Sequence, residues 1–66
     1  MSVAKVIELS AVSKEGFEAA IREAITKSGE TLRNIQGAWV KEQKVVVENG
    51  EVTGYQVTLA VTFVVD

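Results

Sequence analysis

From Val52 to Val65 the chain alternates almost without a break between two kinds of residue. One set is Val52, Gly54, Gln56, Thr58, Ala60, Thr62 and Val64; the other is Thr53, Tyr55, Val57, Leu59, Val61, Phe63 and Val65. A period of two is the signature of a β-strand, here with one strongly apolar face and one mixed face of small residues. At ~3.3 Å per residue such a strand runs to roughly 46 Å. The one helix-like stretch, Lys14 to Ser28, spans about 22 Å at ~1.5 Å per residue. A single short helix is too small to cover that apolar face, so other copies of the chain are expected to cover the remainder.

Size and composition point the same way. At 66 residues the chain is read as one domain, residues 1–66. A chain so short buries only about 60% of its unfolded surface and is marginal as a lone unit. It has no Cys and no His, which removes disulfides and leaves carboxylates as the available metal ligands. Self-association is the remaining source of stability. The formal charge is -2 with acids and bases interspersed, so there is no basic stripe to grip nucleic acid. No apolar run is long enough to span a bilayer, and the opening Met1-Ser2-Val3-Ala4-Lys5-Val6 lacks the apolar core of a signal peptide. A cytoplasmic address, with neither nucleic acid nor membrane as partner, is the expectation.

Val3 to Leu9 reads as a first strand, half exposed or at an edge because it carries Lys5 and Glu8. Ser13 is a suitable N-cap, with Glu15 in the first turn. Phe17, Ala20, Ile21, Ala24, Ile25 and Ser28 form one apolar helical stripe. Glu18 with Arg22 and Glu23 with Lys27 are favourable pairs on the opposite side, and Gly29 is a natural stop. Thr31 to Val47 reads as a second strand, bent at Gly37, and Asn49-Gly50 as a hairpin turn into the third. The expected fold is α+β: β-α-β-β, a three-stranded antiparallel sheet wrapped around one helix.

Without His or Cys the usual general bases and nucleophiles are missing, and there is no phosphate-binding glycine motif. Glu42, Glu48 and Glu51, the acids nearest the hairpin, read as solvated strand and turn residues, and no enzyme is expected. The residue that asks for a partner is Trp39, the only Trp. Its neighbours at strand spacing, Gly37, Lys41 and Gln43, are not core residues, which places Trp39 on the sheet face away from the helix, with Gln56, Thr58, Ala60 and Thr62. A flat ring beside an amide and small residues suits a planar heteroaromatic ligand, and it equally suits a subunit interface.

The β-α-β-β order and a set of segments spread over nearly the whole chain resemble the dodecins. Those segments are Lys5-Val6-Ile7-Glu8-Leu9, Ser13 to Ala20, Thr31-Leu32-Arg33-Asn34-Ile35 and Tyr55 to Phe63. The resemblance implies a hollow homododecamer that holds a flavin (riboflavin, FMN or FAD) between subunits for storage and quenching, without turnover. It implies that Gln56 bonds the polar edge of the flavin and that Lys44 stands where some members carry a basic residue. It also exposes a departure. The family's stacking Trp usually stands at the position of Gly37, whereas here the ring comes two residues later, at Trp39. A bulge near Gly37 would return Trp39 toward the usual place; alternatively Trp39 fills the site and makes a dry contact across an axis. The Arg often found near the family's C-terminus is replaced by Val64, so any phosphate grip is expected to be weak. The alternative the departure leaves open is a shell without flavin, binding a coenzyme A-like nucleotide or a cation.

Overall fold

The computed structural model describes residues 3–65. Met1 and Ser2, on which the reading of the N-terminus partly rests, lie outside them. Strand β1 (Val3–Ser13) leads into helix α1 (Phe17–Gly29), followed by β2 (Ile35–Glu48) and β3 (Glu51–Val65). The sheet order is β1-β3-β2 with both pairings antiparallel. The long alternating segment is therefore the central strand, and β1 is an edge as its charges predict. The molecule measures 52 Å along its longest axis, set by the strands.

The helix starts later than its sequence predicts. β1 continues through Ser13, and the N-cap is Gly16, which makes no side-chain cap bond. Ser13 is not the cap; its hydroxyl instead accepts a hydrogen bond from the Glu15 amide at 3.0 Å, which turns the chain out of β1. Gly16 takes φ 143°, a conformation open to glycine and costly for any residue with a Cβ. At the other end Ser28 donates to the Ala24 carbonyl at 2.7 Å, and the Leu32 and Thr31 amides bond the Ser28 carbonyl. Glu18 and Arg22 pair at 2.8 Å as expected, whereas Lys27 reaches forward to Glu30 rather than back to Glu23.

The predicted helical stripe is the buried one. Ala20 and Ala24 pack on Val57, Leu59 and Val61 of β3, with Phe17, Ile21 and Ile25 around them. Two alanines let the helix approach the sheet closely, and each of the three β3 side chains, fully buried, contributes about 1.5–3 kcal/mol. Phe17 meets Tyr55 edge-on at 5.2 Å.

β2 begins at Ile35, four residues after the predicted Thr31, and is interrupted by register shifts at Gln36 and Lys41; a third shift falls at Thr53 of β3. Each inserts a residue with no partner and displaces the alternation. Beyond Lys41, it is Glu42 and Lys44 that share the face of Trp39, while Gln43 pairs with Val57 on the helix side, so Gln43 is not a same-face neighbour of Trp39. The Asn49-Gly50 hairpin forms as predicted, with φ 52° and 77°.

The helix packs on β1 and β3; of β2, Ile35 reaches the core and most of the remainder is exposed. Trp39, Val40, Val45 and Val47 on β2, Val52 beyond the turn, and Val3, Val6 and Val12 on β1 are all exposed. The surplus of apolar sheet expected from strand length is real, and it is concentrated on β2, the hairpin and the outer face.

Candidate outer-face binding site

Register assigns each predicted residue to a place, because directly paired residues of an antiparallel ladder point to the same face. On the face away from the helix, Gly37 lies opposite Thr62, Trp39 opposite Ala60, Glu42 opposite Thr58, and Lys44 opposite Gln56. From β1 the same face receives Val6, Glu8, Ser10 and Val12, opposite Thr62, Ala60, Thr58 and Gln56. All four predicted residues therefore share one surface, and Trp39 is 54% exposed on it.

They fall into two groups. Lys44 and Gln56, with Glu42, Thr58 and the intervening Gln43, line an open depression of about 440 Å³ near the hairpin end. Trp39 and Gly37 stand farther along. The partner of Trp39 is four residues from Gln56, roughly 13 Å along β3, with Thr58 and Glu42 between. A bulge, which one of the two alternatives for Trp39 requires, lies one residue before Gly37, where Thr62 donates its hydroxyl to the Gly37 carbonyl at 3.0 Å. A Cβ built at Gly37 would meet only that hydroxyl, at 3.9 Å, so the surface there is open.

Between the two groups lies a crossing the sequence did not announce. Lys41, the bulged residue, donates from Nζ to Glu8 Oε2 at 2.6 Å, joining the two edge strands across the central one. Ala60 pairs with Glu8 on one side and Trp39 on the other and is almost fully buried. A methyl group at this position leaves room for the crossing above it. The hydrogen bond to Glu8 and the charge of that carboxylate, with a smaller push from Glu42, hold the Lys41 ammonium pKa above the ordinary lysine value. Next along the face, the Ser10 and Thr58 hydroxyls meet at 3.2 Å.

Glu42 is the residue that sequence reading passed over. By sequence it belongs with the solvated acids of the hairpin, whereas in the fold it lines the depression; its spacing of two from Lys44 is the signal that both side chains share one surface. Among the described residues no three carboxylates gather into a cation site. No helix among them is long and apolar enough to cross a membrane.

These features define a class: small β-α-β-β proteins whose long antiparallel sheet wraps one helix and presents a polar, ring-bearing outer face. The family model named Dodecin matches residues 3–66. A dodecin of Thermus thermophilus is 41% identical over 61 residues, covering 92% of this chain and 88% of that protein. The crystal structure of an arginine-to-alanine variant of T. thermophilus dodecin matches with a TM-score of 0.93 at 38% identity, over 100% of this chain and 98% of that one. The dodecin from Streptomyces davaonensis matches at 0.92 and 31% identity, over 98% of this chain and 96% of that one. The chain belongs to the dodecin family.

Proposed function

We propose that this protein is a flavin-binding storage protein, a homododecamer that holds riboflavin, FMN or FAD in pockets between subunits and catalyses no reaction on it. The observation that carries the reading is the placement of Trp39 and Gln56: both on the outer sheet face, the ring more than half exposed, yet roughly 13 Å apart along the strand. Side chains stand nearly perpendicular to a sheet, so one chain does not close them on one small ring system. A pocket that uses both takes the indole from one copy and the amide from another. Family membership and the exposed apolar residues of β2 support the same assembly. In such a pocket Trp39 stacks on the flavin, Gln56 bonds its donor and acceptor edge, Lys44 approaches a phosphate where one is present, and open Gly37 gives the ring room. A stacked indole also accounts for quenching of a photoreactive cofactor. The expected site of action is the cytoplasm.

The test is refolding with excess riboflavin followed by size-exclusion chromatography read at visible wavelengths. The expected result is a yellow high-mass peak with quenched flavin fluorescence. Unchanged fluorescence and a colourless protein peak would remove the reading. A second reading, a shell of the same architecture without flavin, is favoured by one observation: the ring stands two residues beyond Gly37. It predicts the high-mass peak without colour.

A further inference from the structure

We infer that Glu42 sets the charge preference of the flavin site, disfavouring phosphorylated flavins and shifting selection toward uncharged riboflavin. The inference rests on the flavin reading above and concerns which flavin the site takes. The depression at Gln56 is lined by one cation, Lys44, and one anion, Glu42, two residues away on the same strand and face. A spacing of two on one strand puts their backbones ~7 Å apart. Neither forms an ion pair among the described residues. The nearest other charges on this face, Lys41 and Glu8, are already joined to each other at 2.6 Å. Summed over Glu8, Lys41, Glu42 and Lys44, the surface carries no net positive charge to receive a phosphate of nearly two negative charges. Within each copy Glu42 therefore offsets Lys44 at the depression itself. Thr58 and Gln56, opposite the two charged residues, offer hydrogen bonds that suit the hydroxyls of a ribityl chain as well as a ring edge.

The magnitude follows from Coulomb's law. A carboxylate about 7–8 Å from a phosphate dianion, in surroundings close to water, weakens binding about fivefold. The experiment is a fluorescence-quenching titration of the assembled protein with riboflavin and with FMN, at low salt and at ~0.5 M salt. The wild type and the Glu42→Gln and Lys44→Gln variants are compared, each checked for native mass. In the wild type riboflavin is expected to bind at least as tightly as FMN. Glu42→Gln should move the ratio of the two affinities about fivefold toward FMN, Lys44→Gln should move it the other way, and high salt should shrink both shifts. A purely structural role for Glu42 would move both affinities together and leave the ratio alone. An unmoved ratio, or wild-type FMN binding more than tenfold tighter than riboflavin, overturns the inference while the flavin reading stands. Binding of neither flavin by the wild type removes both.

Discussion

Replacing Trp39 with Ala asks the molecule directly what its most exposed ring is for. With 54% of the residue open and up to ~250 Å² in a tryptophan side chain, about 135 Å² is available to something outside the chain. If that area is covered by another copy, its loss removes about 3 kcal/mol per copy at ~25 cal/mol per Å². That is roughly a 200-fold rise in the concentration at which subunits separate. If the area faces a flavin, the assembly keeps its mass on dilution, while the lost stacking alone, ~0.5–1.5 kcal/mol, weakens riboflavin by about two- to tenfold. Sedimentation velocity over a dilution series, paired with a riboflavin quenching titration, separates the outcomes. A Trp39→Ala protein with unaltered dissociation and unaltered riboflavin affinity would refute the reasoning from exposure, for the ring would then be covered by neither.

Two further predictions concern the scaffold. Gly16→Ala places a Cβ at φ 143° and should cost about 1–3 kcal/mol, read as a lowered denaturation midpoint with an unchanged slope. Lys41→Met should remove an alkaline step in stability. The Lys41 pKa is raised in the fold, so the Glu8 pair contributes fully below the unfolded lysine pKa, and the contribution is lost as pH climbs through the folded value. Thermal melts at rising alkaline pH should therefore fall more steeply for the wild type than for the variant; parallel profiles would show that the crossing adds nothing.

Much of the fold was legible because the strongest signals were periodic. The helical stripe from Phe17 to Ser28, the β3 alternation from Gly54 onward and the Asn49-Gly50 turn all appear where their spacing placed them. What escaped were departures from period. Ser13 has the chemistry of a cap and uses it two residues later, on a turn, because Gly16 supplies a backbone conformation that no hydrogen-bonding side chain advertises. The shifts at Gln36, Lys41 and Thr53 leave no mark in composition, since a bulged residue is recognised only by what it fails to pair with. The candidate site suffered most from this. Trp39, Gly37 and Gln56 were assigned to the correct face, but counting in twos through Lys41 put Gln43 where Glu42 and Lys44 stand. The Glu8–Lys41 crossing joins residues 33 apart in the chain and depends on a bulge and on the smallness of Ala60, none of which local spacing encodes.

The unpaired residue at Lys41 works like an inserted letter in a two-letter reading frame. Deleting it would join Val40, which pairs with Leu59, directly to Glu42, which pairs with Thr58, so the alternation would run on unbroken and Glu42 and Lys44 would keep the outer face. What a one-codon loss there would remove is the ammonium tied to Glu8, so the extra residue lets the strand carry a cross-sheet tether while the residues on either side keep their faces.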